Sequence, residues 1–139
     1  MKDKDFNYTR TIKFKAKRLD NGEWVEGDLI HYDGDKIGIQ YYNDIGENNY
    51  VQVVHEIDPS TICQFTGMKD ENGKEIWEHD ILKNYPMKSE VIFKNGSFMI
   101  IEDRDGHAVE FSLSELIYDD GICYLEKIGS KFDRKGGEE

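Results

Sequence analysis

Four histidines, two cysteines and 29 carboxylates are the groups in this chain able to ligate a metal, move a proton or attack a substrate. Their spacing forms none of the patterns such chemistry needs. His31, His55, His79 and His107 make no HxH or HxxxH pair and none neighbours a cysteine, so a metal centre would have to assemble from distant parts of the chain. Cys63 and Cys123 stand far apart, without a CxxC and without a secretory leader. They are expected as small core hydrophobes, not as a disulfide framework. Asp70-Glu71-Asn72-Gly73 and Asp103-Arg104-Asp105-Gly106 have the composition of calcium loops. Both lack the full ligand alternation and the closing glutamate, and turn propensity accounts for them. No GxSxG elbow, Walker loop or GxGxxG occurs. No catalytic, cofactor-binding or metal-ligating residue is therefore nominated, and a non-enzymatic protein is expected.

Residues suited to binding are easier to point to. Thr11 to Arg18 reads TIKFKAKR, in which Ile12, Phe14 and Ala16 alternate with Lys13, Lys15 and Lys17. A period of two places the three lysines on one face of a strand, expected near a sheet edge where cations discourage association. Trp24 and Trp77 are large anchors, either for a small core or for an interface. Tyr32, Tyr41, Tyr42 and Tyr85 could extend a groove beside them. The candidate binding set is Lys13, Lys15, Lys17, Trp24, Tyr32, Trp77 and Tyr85.

Charge narrows the choice of partner. The formal net charge is −11. Residues 1–18 hold seven Lys or Arg against two Asp, a balance of +5, which leaves −16 for the rest. An acidic body repels phosphate backbones. A host or phage protein is the expected partner. Nucleic acid bound through the basic first strand is disfavoured, an acidic mimic of DNA is a further alternative, and assembly of copies through opposite charges stays open. No apolar run reaches the length that spans a bilayer, so no membrane role and a cytoplasmic location are expected.

The elements that must position these residues are short strands. Asn21-Gly22, Asp33-Gly34, Asn72-Gly73, Asn95-Gly96 and Gly106 set turns at spacings of about ten residues. Glu90 to Ile101 about Asn95-Gly96 reads as a hairpin. Asn43 to Asn49 reads as a polar loop. Ser112 to Tyr118, SLSELIY, is the one helix candidate, with Glu115 three residues after Ser112 as in a capping box. The expected fold is mainly β, a β-rich α+β arrangement of antiparallel sheets with partial, SH3-like barrels and one short helix. Pro59 suggests a division into 1–58, an amino-terminal β-rich half, 59–130, an SH3-like β half, and a flexible tail, 131–139. The two halves echo each other. NGEWVEGDLI from Asn21 parallels NGKEIWEHDIL from Asn72, each with a turn, a tryptophan, an acidic corner and a second strand.

Phe65 to Leu82, FTGMKDENGKEIWEHDIL, resembles the signature of the YopX family of phage and prophage proteins. Ile12 to Tyr32, IKFKAKRLDNGEWVEGDLIHY, is similar to that family's opening. Glu90 to Phe98, EVIFKNGSF, and Ile128-Gly129 are similar to its later segments, so the match runs from about 12 to 130 in order. The resemblance implies a β-rich fold with partial barrels, a phage or prophage origin and an unknown molecular function, with no catalytic residue to carry over. His79 stands where the family pattern has Gly. If that corner needs a positive φ, His79 must adopt it at some cost. Lys17 stands where an aromatic is common.

Overall fold

Turns cut residues 10–84 and 86–133, which the computed structural model describes, into twelve strands and two single 3-10 turns. The strands are β1 (Phe14–Lys17), β2 (Trp24–Tyr32), β3 (Lys36–Gly46), β4 (Asn49–Glu56), β5 (Cys63–Asp70) and β6 (Glu75–Trp77). They continue as β7 (Asp80–Asn84), β8 (Met87–Lys94), β9 (Ser97–Arg104), β10 (His107–Ser112), β11 (Ile122–Cys123) and β12 (Glu126–Ser130). The 3-10 turns are Pro59–Thr61 and Leu113–Leu116. The fold is mainly β, as the turn spacing implies.

The strands form two sheets, and neither closes into a barrel. One runs β11-β5-β1-β2-β3-β4 with β6 added beside β5, and the other runs β10-β9-β8-β7-β12. All pairings are antiparallel except β11 with β5. The first sheet takes strands from both sides of Pro59. Asp58 caps the Pro59–Thr61 turn by accepting the Ser60 N–H at 3.0 Å. Thr61 Oγ1 then accepts the Lys17 N–H at 2.8 Å, which delivers the chain into β5 alongside β1.

Two expectations are met closely. The β8–β9 hairpin turns at Asn95-Gly96 with φ of +54° and +81°, the mirror-image turn whose twist suits antiparallel strands. Ser112 and Glu115 make the reciprocal capping box, although the element they cap is a single 3-10 turn. Two others are corrected. β1 is not at an edge; it lies between β5 and β2. Asn43 to Asn49 is not a loop, because β3 runs to Gly46 and β4 begins at Asn49 around a two-residue turn, Glu47-Asn48, at φ of +54° and +60°. Polar composition suggested a loop, whereas the cross-strand pairing of β3 with β4 decides for strand.

Three apolar clusters hold the sheets. Ile76 and Cys123 of the first sheet meet Leu82, Val91 and Ile100 of the second, with Leu113 and Leu116 of the 3-10 turn closing the layer. Ala16, Ile39 and Ile57 form a second cluster with Phe14, Val25 and Leu29. Cys63, Phe65 and Trp77 form a third with Trp24 and Phe132. Both cysteines are free and fully buried, as small hydrophobes. Burial pushes the Cys63 thiol up to about 12 and raises Cys123 as well. Neither thiol is therefore expected to react with an aromatic disulfide reagent while the protein is folded, and both should react at once in denaturant. Fast labelling of the native protein at either position would contradict this packing.

Candidate functional site

Five of the residues nominated from the sequence come together, on one face of β1. Lys13, Lys15 and Lys17 project from alternate positions onto the aromatic cluster. Lys13 Nζ lies 4.9 Å from the centre of the Phe65 ring and 5.4 Å from Trp77. Lys15 Nζ sits between the tryptophans, 4.6 Å from Trp24 and 4.9 Å from Trp77. Lys17 Nζ is 5.4 Å from Trp24. Each ammonium is attracted to the negative face of a ring, and the lysine stems cover apolar surface. Tyr32 is elsewhere, at the end of β2 beside Gly38 and under Lys36 Nζ at 5.9 Å. Tyr85 lies outside the described residues.

The lysine face is largely occupied from within. Lys13 Nζ is 2.8 Å from Glu75 Oε2 and 3.6 Å from Glu26 Oε1, and the hydrogen bond to Glu75 raises its pKa. Lys17 Nζ donates to the Phe132 carbonyl at 2.9 Å. Phe132 stands edge-on to Trp24 at 6.1 Å and to His79 at 5.4 Å, so the expected tail begins docked through Asp133. Burial lowers the Lys15 pKa, with Asp80 pulling the other way.

The corner Glu78-His79-Asp80 locks this face to the second sheet. His79 adopts φ +71°, the left-handed conformation that the resemblance to a glycine pattern implied. Its N–H donates to the Val91 carbonyl at 2.6 Å, its carbonyl accepts from Lys131 at 2.8 Å, and Nδ1 is hydrogen-bonded with Glu90 at 2.9 Å. A non-glycine residue in this region is strained by roughly 1–2 kcal/mol. The usual order of glycine and alanine should therefore invert here. His79→Gly, which sheds the strain, is expected to be about 1 kcal/mol more stable than His79→Ala, which loses the same ring contacts and keeps it. Chemical denaturation of the two variants reads the difference; a more stable alanine variant would refute the strain.

Asp80 is fully buried. Its Oδ2 accepts the Trp77 N–H at 2.7 Å and pairs with Lys127 Nζ at 3.0 Å. Burial raises its pKa, against the opposing pull of the Trp77 N–H and Lys127. Among the described residues, no group of three His, Cys, Asp or Glu side chains is placed to hold a metal ion.

The sequence pointed to only one residue of a second surface, Tyr42, and placed it in a groove beside the tryptophans. β2 pairs with β3 only up to Asp28↔Gln40, whereas β3 and β4 go on pairing through Tyr41↔Val53, Tyr42↔Gln52, Asn43↔Val51 and Asp44↔Tyr50. Among the described residues, the far half of this hairpin is an arm with no third strand. Tyr42, Ile45, Tyr50 and Val51 are 62%, 65%, 60% and 45% exposed, so the arm presents several large apolar side chains to solvent. A bare two-stranded ribbon is marginal in water by itself. No Lys or Arg occurs from Ile37 to Ile57. β4 is also the terminal strand of its sheet, and Tyr50–Val54 carries none of the lysines, prolines or bulges that usually blunt an edge. The other hints available in the sequence were Tyr50 and the valine-rich run.

A family model described as YopX protein matches residues 13–133. No curated protein matches the chain. A solved structure, protein EF1440 from Enterococcus faecalis, is 22% identical over 88% of this chain and 94% of that one, with a TM-score of 0.48. No helix among the described residues is long and apolar enough to cross a membrane.

Proposed function

The chain belongs to the YopX protein family, and on that premise we propose that it is a phage- or prophage-encoded accessory protein that acts by binding another protein in the cytoplasm of a bacterial host. The reading is non-enzymatic, and one observation carries it. The β3–β4 arm offers exposed aromatic and aliphatic side chains beside an unpaired strand edge. Such an edge recognises an extended segment of a partner by main-chain hydrogen bonds, while the flanking side chains supply apolar contact. The arm's lack of cations and the acidic body disfavour a nucleic-acid ligand at this surface. The lysine–tryptophan face supports that reading less, because Lys13 and Lys17 already have partners within the chain.

A variant carrying Tyr42→Ser, Tyr50→Ser and Val51→Lys tests the proposal. These side chains are exposed, so thermal stability should change little. Complex formation with the natural partner, followed by affinity capture from the host, should be lost in the variant and kept when Lys13, Lys15 and Lys17 are replaced by Gln. Retention in the arm variant with loss in the glutamine variant would transfer the function to the basic face. Turnover of a substrate by the purified chain would overturn the non-enzymatic reading.

A further inference from the structure

We infer that the segment seated on the β4 edge is β4 of a second copy of this chain, paired antiparallel about Gln52. The inference rests on the protein-binding reading above and names its partner. The hydrogen-bond parity of β4 comes first. Ile57 donates its N–H to the Ile37 carbonyl, so Ile57 turns its polar backbone groups toward β3. Alternation along the strand turns His55, Val53 and Val51 the same way and leaves Tyr50, Gln52 and Val54 facing outward. Glu56 has the outward parity too, and its carbonyl accepts the Leu19 N–H at 3.0 Å on the outer side of the strand. That bond closes the edge at one end, and the Glu47-Asn48 turn closes it at the other. The open stretch is Asn49 to His55, and its midpoint is Gln52.

A two-fold axis at that midpoint satisfies every free group. Tyr50 meets Val54 of the second copy, Gln52 meets itself, and Val54 meets Tyr50. All are outward-facing residues, so each of these pairs exchanges two N–H···O bonds, about six across the seam. Shifting the register by one residue would set outward groups against inward ones. The side chains agree with this register. Val51 falls beside Val53, Asn49 beside His55 and Glu56 beside Asn48, so no like charges oppose. For a body of −16, two copies repel unless they meet along a charge-free seam, and this run is such a seam. Gln52 already bonds to Gln40 through its side chain amide, which leaves its backbone free for the partner. An isologous pairing of this kind closes on itself and does not propagate into fibres through the same edge.

Two variants at the axis separate seam from fold. Gln52→Pro deletes the outward N–H without removing a bond to β3, a substitution that edge strands accommodate. Gln52→Lys sets two ammonium groups against each other across the axis. Sedimentation equilibrium of the full chain from about 1 to 200 µM, the range in which a seam this small should associate, is expected to show a dimer for the wild type. Both variants should remain monomeric, with the melting profile that the wild type shows when dilute enough to be monomeric. A wild-type dimer that survives both substitutions overturns the β4 seam. A wild type that stays monomeric at 200 µM overturns self-pairing. If that monomer still binds a host protein in a manner abolished by Gln52→Pro, the edge keeps its role as a docking surface and only the identity of the occupant fails. If it binds nothing, both readings fall.

Discussion

Lys127→Met is expected to destabilise the protein by about 3–5 kcal/mol at neutral pH, because it strands a fully buried carboxylate without its counter-charge. Methionine keeps most of the lysine's stem, so lost packing contributes little. The effect belongs chiefly to Asp80, whose remaining hydrogen-bond partner among the described residues is the Trp77 N–H; the smaller loss of the ammonium's bond to the Glu75 carbonyl does not depend on pH. Burial raises the folded pKa of Asp80 above its unfolded value. A raised pKa means that the carboxyl's contribution to stability is fully present below the ordinary Asp range and is lost as pH rises through the folded value. Removing Lys127 raises that value further. The gap between Lys127→Met and the wild type should therefore be widest at neutral pH and should narrow as pH falls below the ordinary Asp range. Asp70 runs in the opposite sense. Burial pushes its pKa up, but the backbone N–H groups of Lys127, Lys74 and Asn72 outweigh that and hold it low, so its stabilisation is lost on acidification. The Lys127→Met variant retains its backbone N–H, so this acid loss is common to both proteins and cancels in the comparison. Adding Asp80→Asn to Lys127→Met should restore at least about 1 kcal/mol by removing the stranded charge. Urea denaturation across the pH range measures all three; a gap wholly independent of pH would show that the loss does not come from Asp80.

Gly27→Ala should cost about 3 kcal/mol, the upper end for overpacking. A Cβ at position 27 would lie 2.2 Å from the Gln40 carbonyl oxygen and 3.1 Å from Ile39 Cγ2. The first obstacle is backbone of the adjacent strand and cannot rotate aside. Gly27 is where β2 leaves its pairing with β1 and takes up β3, through Phe14↔Gly27 and then Asp28↔Gln40. Crowding there forces apart the strands that support the whole arm. Gly67→Ala is the control. Gly67 has φ +89° with nothing within 4 Å of a built Cβ, so only backbone strain of about 1–2 kcal/mol applies. Equal destabilisation of the two variants would mean that strand 3 does not approach the corner as closely as described.

The residues whose behaviour depends on near neighbours were legible from sequence. Asn95-Gly96 made its hairpin and Ser112 with Glu115 made its capping box. The alternation of Lys13, Lys15 and Lys17 predicted a shared face, and His79 took the positive φ that a glycine pattern implied. Trp24 and Trp77, paired by the internal echo, share one aromatic cluster. What the sequence could not reveal depends on residues far apart in the chain. Period two places lysines on a face but does not say what covers it, and here Phe65, Trp77 and Phe132 arrive from later segments. Asp80 reads as one surface carboxylate among many until β12 brings Lys127 to it. Asn43 to Asn49 reads as a loop because its residues are polar, yet the ladder of β3 with β4 carries it as strand. Composition records what a segment dislikes burying; it does not record whether its backbone has a partner.

The outward-facing β4 edge is the working surface in this account, and amide exchange residue by residue tests it most directly. In dilute solution the N–H groups of Tyr50, Gln52 and Val54 should exchange rapidly while those of Val51, Val53 and His55, turned toward β3, are protected. At high protein concentration the first three should become protected and the second three should change little. Equal protection of all six at every concentration, or rapid exchange of Tyr50, Gln52 and Val54 in the concentrated sample, would contradict the account.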